Sequence, residues 1–503
     1  MLKTTMVTLT HHKDLKNLVK DVTFTVRPGD KMAIIGDEGT GKSTLLQAFL
    51  DPELINDYAT LSGQVQLEFD RVAYLPQVIP QHQLDMTVAD FIYTDLDNNT
   101  VDFNIFYQLA QQFHLAIEPM LTENLHLKDL SGGQQLKLYL LTLLANQPDC
   151  LFLDEPSNNL DLDSLNWLAQ FIAKTQQTVI FISHDEHFLS QTATAILHLE
   201  LLKKRQKPRA TYFKGSYDSY KAWRQETFER QTQLALKERS EHAAKLAKSH
   251  RIHQSVEHQL RHTKNDVAGR LLAKKLKNVL SQEKRYEKER QGFHDIPENP
   301  DHINLFFSDI HPLASNKVIL KWQEQLVPFT HQSIDLTIWG QDKLVITGAN
   351  GIGKSNLLSI ILNDLSRQYP VGFMPQTYAE DLNPDQTALT FLSDHASSSS
   401  STEIRTLLAS LQFTRQEIGH PIGNLSGGQQ GKLFLAKMVL AKYPILILDE
   451  PTRHFSSTSQ PLIRQLLREY PGAIISVSHD QCFIDEVCQK VFELEKDGLR
   501  RIR

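Results

Sequence analysis

The sequence predicts a duplicated α/β fold: two open, mostly parallel sheets, each with a glycine-rich phosphate loop, joined by a long helical hairpin. Three observations carry this. Four short motifs occur in one order and then again in the same order. Three of the four motifs close or follow a short apolar run of buried-strand type in each copy. Between the two sets, residues 221–291 turn basic and carry narrow apolar stripes at helical spacing. The boundaries read from this are 1–215 for the first unit, 216–300 for the hairpin and 301–503 for the second unit.

At 503 residues the chain can bury more than one core. Charged residues at 22% and hydrophobic residues at 41% are ordinary globular values. LYLLTLLA (138–145) is among the longest apolar runs and is far too short for a membrane span. The N-terminal MLKTTMVTLTHHKD has no apolar core of signal-peptide type. Cys150, Cys482 and Cys488 are too few for a disulfide framework or a four-thiolate cluster, so a reducing, cytoplasmic setting is expected. The net charge of −6 by itself indicates no nucleic-acid partner, although an average hides local patches.

In the first unit, the strand pattern MAIIG (32–36) runs into GDEGTGKS (36–43) and then the helix start KSTLLQAFL. In the second, KLVITG (343–348) runs into GANGIGKS (348–355) and KSNLLSIIL. GxxxxGKS presents backbone N–H groups and a helix N-terminus to phosphate oxygens. The candidate phosphate contacts are therefore Gly36, Asp37, Glu38, Gly39, Thr40, Gly41, Lys42, Ser43 and Thr44. Their counterparts are Gly348, Ala349, Asn350, Gly351, Ile352, Gly353, Lys354, Ser355 and Asn356. Lys42 and Lys354 reach the outer phosphates, and Ser43 and Ser355 are magnesium ligands.

LFLDEP (151–156) and LILDEP (446–451) end apolar strands in a carboxylate, which is costly there unless a cation or hydrogen bonds satisfy it. Asp154 and Asp449 are the expected Mg2+ partners. Glu155 and Glu450 are placed to polarise an attacking water. Gln77 (YLPQ) and Gln376 (FMPQ) can touch metal and water, and His184 and His479 of the two SHD motifs can hold the terminal phosphate. LSGGQQ occurs at 130–135 and 425–430; a serine and two glycines opening a helix make a second anion cradle. Its residues are Ser131, Gly132, Gly133 and Gln134, and Ser426, Gly427, Gly428 and Gln429. From Leu130 to Asp154 is 24 positions, as from Leu425 to Asp449; from Asp154 to His184 is 30, as from Asp449 to His479. From Lys42 to Gln77 is 35, but from Lys354 to Gln376 only 22, so length varies just after the phosphate loop. Asn383-Pro384 and the serines of 397–401 read as loops.

With four ordered motifs in each half, the chain resembles the ATP-binding cassette ATPases. In that family the LSGGQ cradle covers nucleotide held by the opposite unit. The resemblance implies one ATP on Lys42 closed by Ser426-Gly427-Gly428 and another on Lys354 closed by Ser131-Gly132-Gly133, both in one monomer whose cassettes pair internally. ATP would clamp the halves and hydrolysis would release them. Adenine normally stacks on an aromatic about two dozen residues before the loop, where this chain offers His11 and His12, and Trp322.

Residues 221–291 hold eighteen Lys/Arg against nine Asp/Glu. Lys245, Lys248, Arg251, Arg261, Lys264, Arg270, Lys274, Lys275 and Lys277 cluster toward the turn TKNDVAG (263–269). Ile252, Val256 and Leu260, and Leu272, Leu276 and Leu280, step by four and predict one stripe per helix. Basic side chains with no Phe, Tyr or Trp between Phe228 and Tyr286 point to phosphate-backbone contact rather than base stacking. With YFKGSYDSY (212–220) leading into it, this architecture resembles the ABC-F subfamily. That resemblance implies a ribosome partner (rRNA and tRNA at the exit-site side), no membrane partner, and a linker tip probing the peptidyl-transferase region. Only 88 positions separate Lys42 from Leu130, which leaves little room for the arm of housekeeping members. The lean outline is similar to antibiotic-resistance members that protect the large subunit. The competing readings are a transporter ATPase pair with separately encoded membrane subunits and a DNA-repair cassette ATPase. A transporter pair has no evident need for a long basic hairpin; a repair ATPase generally needs zinc cysteines or much longer coiled coils. Last, DEPSNNLD (154–161) and DEPTRHFS (449–456) diverge after proline, so that Ser456 stands where Asp161 could cross-link the halves. The Lys42 site is expected to turn over more slowly.

Overall fold

The apolar runs that end in motif residues form the centres of two six-stranded sheets in the computed structural model. It describes residues 1–13, 15–95, 103–158, 160–202, 207–262, 266–289, 310–327, 333–378, 381–395 and 400–503. The first sheet runs Val72–Leu75, Cys150–Asp154, Thr178–Ile182, Lys31–Gly36, Ala195–Leu201, Lys207–Lys214. The second runs Val371–Met374, Ile445–Asp449, Ala473–Val477, Lys343–Thr347, Lys490–Glu495, Gly498–Arg501. Five strands of each are parallel and the sixth closes an antiparallel hairpin. Cys150–Asp154, Thr178–Ile182, Ile445–Asp449 and Ala473–Val477 are buried along their whole length. Burial on both faces is why these strands read as unbroken apolar runs rather than alternating ones.

Register places the chemistry. Ile34 pairs with Ile182 and Ile182 with Asp154; Ile346 pairs with Val477 and Val477 with Asp449. In each cassette the strand before the phosphate loop, the DEP strand and the SHD strand therefore end level, at the sheet edge where open α/β folds bind ligands. An antiparallel sheet of Asn17–Val26, Leu2–His11 and Ala59–Leu67 accompanies the first cassette. Among the described residues the second has the pair Val318–Gln325 and Ile334–Trp339. Each cassette adds a helical lobe ending in a long helix, Gly132–Ala145 or Gly427–Ala441. Asn383-Pro384 lies outside helix and strand. The serine run does not end as a loop: Ser400 accepts from Glu403 N as N-cap of the helix Ser401–Ser410, and 397–399 lie outside the described residues.

Contacts divide the chain into one unit of Met1–Tyr217 and Pro300–Arg503, holding both cassettes, and another of Asp218–Asn299. Within the first, the cassettes meet directly. Arg464 Nη2 donates to Glu186 Oε2 at 2.6 Å, both side chains buried, and the Tyr217 hydroxyl donates to Ser457 O at 3.2 Å.

The second unit consists of the long helix Tyr217–His262 beyond its first residue and the helix Asp266–Glu289. They pack antiparallel, as His242 to Tyr286 O (2.8 Å) and His253 to Glu283 Oε2 (3.2 Å) require. The seam follows the expected stripes at Val256, Leu260, Leu272 and Leu276 and departs from them elsewhere. Ala235, His242, Ser249 and Val256 are buried at intervals of seven, with Leu246, His253 and Leu260 half-buried between them; Ile252 is exposed. On the second helix Val279 is buried and Leu280 exposed. A four-residue step drifts around a helix, whereas alternating steps of three and four hold one face toward a partner.

Candidate nucleotide sites

Glycine geometry shapes both phosphate loops. Gly41 (φ 89°) and Gly353 (φ 105°) precede the helices Lys42–Leu50 and Lys354–Ser366 in left-handed conformations. A Cβ on Gly36 would lie 2.2 Å from Leu199 O, and on Gly348 2.5 Å from Leu494 O. Only glycine fits at that sheet edge. Lys42 Nζ donates to Gly36 O and Asp37 O, both at 2.9 Å. Lys354 does the same to Gly348 O (2.8 Å) and Ala349 O (2.9 Å). Burial lowers the pKa of both ammonium groups, with Glu155 and Glu450 respectively opposing it.

Asp154 is buried and its Oδ1 accepts from Ser43 Oγ at 3.0 Å. Burial pushes its carboxyl up to about 6. Asp449 is likewise raised by burial, eased by Ser355 and Lys354, and its Oδ1 is buried without a hydrogen-bond partner. A buried carboxylate beside a serine hydroxyl supplies the oxygen donors a hard divalent cation takes, so both Ser/Asp pairs fit Mg2+, and the orphaned Oδ1 of Asp449 marks the second most clearly.

The following glutamates both have left-handed backbones, Glu155 at φ 49° and Glu450 at φ 52°. Non-glycine residues rarely hold that conformation, and two copies at equivalent positions mark it as part of the site. Their environments differ. Glu155 Oε2 accepts from Gln77 Nε2 at 3.0 Å and from Asn158 Nδ2, and His184 Nε2 lies 3.3 Å from Oε1. Burial opposes ionisation, but His184, Lys42 and Asn158 outweigh it and hold the carboxyl down at about 2. Glu450 is buried with only the His479 N–H at 3.3 Å and Ser478 Oγ at 3.5 Å on Oε2. Burial, reinforced by Asp449, pushes it up to about 7. His479 Nε2 is 3.8 Å from Glu450 Oε1, and burial with Lys354 nearby pushes its imidazole down to about 4. The Nδ1 atoms of His184 and His479 are both buried without a partner. Gln376 faces the Lys354 cavity, and its carbonyl meets His454 Nε2 at 3.2 Å.

Ser131 and Ser426 cap the signature helices in reciprocal boxes. Each hydroxyl accepts from the N–H of Gln134 or Gln429 (3.3 and 3.4 Å), and each Gln Oε1 accepts from the serine N–H at 3.0 Å. The glutamine carbonyls are thus committed to the cap, leaving serine O–H and glycine N–H groups for a ligand.

The two cassettes face each other head to tail at these helices. Gly132, Ser157 and Leu160 of the first cassette line a cavity of about 540 Å3 together with Lys354, Ser355 and Glu450 of the second. Asp161 caps the helix Leu162–Lys174 by accepting from Ser164 N at 2.9 Å. Its carboxyl is held below the usual range: burial opposes, and Ser164 and the backbone N–H of Asn350, in the opposite phosphate loop, prevail. Ser456 makes no such cap; its hydroxyl bonds Ser459 Oγ at 3.0 Å and the next helix starts only at Gln460. Phe455 is buried against Gly431. His454 lies beside Gly427 and Glu38, on the Lys42 side, whereas Arg453 lines the cavity of its own cassette.

Two features escaped the motifs. Arg464 bridges Glu186 and, at 3.1 Å, Glu486. The SHD aspartates Asp185 and Asp480 accept from Phe188 N and Phe483 N as helix N-caps, and Asp480 adds to the burial that raises the Asp185 carboxyl. Neither has a local signal beyond the repeated Asp. Of the aromatic candidates for adenine, Trp322 is buried in the core and its Nε1 donates to Asp364 Oδ2 at 3.0 Å, so its face is not open to a base. His12 is exposed with its ring on Thr60 Oγ1 at 2.6 Å, and His11 ends the first strand. In the hairpin, Lys245, Lys248, Arg251, Arg261, Arg270, Lys274, Lys275 and Lys277 are all exposed, with Arg261 paired to Glu257 at 2.7 Å. Lys264 lies outside the described residues.

Two parallel-sheet cores, each with a phosphate loop at the ends of its strands and a signature helix facing the other's loop, define a tandem cassette ATPase. The ABC transporter family matches residues 19–158 and 331–453. Ribosome protection protein VmlR of Bacillus subtilis is 28% identical over 99% of this chain and 87% of its own length. ABC transporter F family member 5 of Arabidopsis thaliana is 25% identical over 96% and 73%. The archaeal ribosome recycling factor aABCE1, solved with a ribosomal stalk protein, superposes with a TM-score of 0.61 at 15% identity, covering 99% of this chain and 89% of that one. The chain belongs to the ABC transporter family. It binds and hydrolyses ATP. No helix among the described residues is long and apolar enough to cross a membrane.

Proposed function

We propose that this ATPase is a ribosome-binding translation factor that protects ribosomes from large-subunit antibiotics by inserting its basic hairpin near the peptidyl-transferase centre. The observation that carries it is the hairpin: eight exposed cationic side chains, on a helix pair with no Phe, Tyr or Trp between Phe228 and Tyr286, suit a phosphate backbone. The name of VmlR, similar over nearly its whole length, supports the ribosome as the source of that phosphate.

At each ATP site, Lys42 or Lys354 trades its loop carbonyls for phosphate oxygens, so binding replaces hydrogen bonds already made. Ser43 with Asp154, and Ser355 with Asp449, would hold Mg2+, which neutralises charge on the phosphates when bound. Glu155 and Glu450 orient water and receive its proton, while His184 and His479 present Nε2 beside them. The N–H groups of Gly132-Gly133 and Gly427-Gly428 close on phosphate held by the opposite cassette. Removing both glutamates slows hydrolysis by about 10²-fold or more, roughly 3 kcal/mol of barrier. Glu155→Gln/Glu450→Gln therefore accumulates on ribosomes with ATP and inhibits translation, and wild-type expression raises drug tolerance. Equal ribosome occupancy of wild type and double variant, or ATP-dependent sedimentation with membranes instead, refutes the reading.

A further inference from the structure

The two signature cradles are differently occupied. At the start of the helix Gly427–Ala441, the Gly428 N–H donates to Glu38 Oε2 at 3.3 Å. A Cβ on Gly427 would lie 3.2 and 3.4 Å from the two oxygens of the same carboxylate. Glu38 belongs to the first cassette's phosphate loop, so a side chain from one half fills the anion cradle of the other. The crevice left at this cradle, lined by Glu38, Ser426, Gly428 and His454, is about 20 Å3. In the second loop the equivalent residue is Asn350, and Ala349-Asn350 brings no charge where Asp37-Glu38 brings two carboxylates.

Unsatisfied N–H groups and the helix dipole draw an anion to such an N-terminus. A carboxylate and a terminal phosphate are alternative occupants of one cradle, and their charges repel. We propose that Glu38 is a built-in phosphate stand-in, which keeps the Lys42 site self-occupied and makes it the weaker, later-filled of the two ATP sites. This rests on reading Lys42 and Ser426-Gly427-Gly428 as one composite site. Filling that site requires the Glu38 side chain to swing out of the cradle.

The test uses the full-length chain with Lys354→Ala, so that only the Lys42 site reports, and titrates ATPγS by calorimetry. Glu38→Asn, which copies Asn350, tightens binding by about 10-fold or more, the worth of a charge-assisted hydrogen bond. Glu38→Asp keeps the charge but loses reach by one methylene, and it also tightens binding. In a Lys42→Ala background the same substitutions leave the Lys354 site within about twofold. Unchanged or weaker binding in Glu38→Asn overturns the proposal. Tightening in Glu38→Asn but not in Glu38→Asp also overturns it, because loop charge alone would then be responsible. No binding at all in the Lys354→Ala parent removes the composite site itself, a failure distinct from the other two.

Discussion

Replacing Asp185 by Asn removes an ionisable group from the place where the cassettes meet. Asp185 sits near Asp480 and Glu186, while Glu186, Glu486 and Asp480 surround the guanidinium of Arg464. Burial first, then Asp480, pushes its carboxyl up to about 7, with the N–H groups of Phe188 and His187 only partly offsetting. In the unfolded chain the same group ionises near pH 4. Between those values the folded state holds the extra proton, so stability falls as pH rises from about 4 to about 7 and is level above. That difference between folded and unfolded chain is worth roughly 4 kcal/mol. Asp185 lines the cavity and keeps some solvent contact, and solvent screening leaves about 2 kcal/mol of it. Asparagine keeps the N-cap to Phe188 and cannot ionise. Asp185→Asn therefore raises Tm at pH 8 by about 4–8 °C, and the gain shrinks steadily toward pH 5. Scanning calorimetry at pH 5, 6, 7 and 8 measures it. A gain independent of pH, or one that grows toward acid, refutes the claim that Asp185 folds protonated.

Three further outcomes follow from the same geometry. Singly, Glu450→Gln costs more of the total ATPase rate than Glu155→Gln, because a carboxyl near 7 is better matched to accept a proton than one held at about 2; equal losses in steady-state assays remove the asymmetry. Arg270→Ala/Lys274→Ala/Lys275→Ala flattens the salt dependence of ribosome binding by up to about one slope unit per lost contact, with the ribosome-free ATPase unchanged; an unaltered slope makes the hairpin a spacer. Arg464→Leu destabilises the paired cassettes by about 3–5 kcal/mol, and Arg464→Leu/Glu186→Leu recovers most of that in urea unfolding; a double variant no better than the single one shows that Glu186 is not what Arg464 satisfies.

What was legible in the sequence was what the local chain dictates. A phosphate loop needs its glycines in order, and a DEP strand needs its carboxylate at the end, so register followed from motif spacing. The divergence of Ser456 from Asp161 also showed, because helix capping is local. Arg464 and Glu186 lie 278 positions apart, and no periodicity connects them. Trp322 was read by its distance from the phosphate loop, and that distance could not reveal Asp364 under its indole N–H. Glu38 was read as loop backbone; where its side chain goes depends on a helix nearly four hundred residues away. The hairpin stripes hold at Val256, Leu260, Leu272 and Leu276 and fail at Ile252 and Leu280, because apolar spacing alone misses the polar positions of the seam. Of its four buried residues at intervals of seven, Ala235, His242, Ser249 and Val256, two are polar.

Those polar residues have a consequence for length. An all-leucine seam slides with little penalty, but a seam that joins His242 to Tyr286 O and His253 to Glu283 is keyed. Slipping it by one turn strands a buried imidazole and a carboxylate together. The hairpin therefore behaves as a ruler with notches. Descendants can lengthen it only by matched seven-residue insertions in both arms, each adding about 10 Å, so its reach changes in steps rather than continuously.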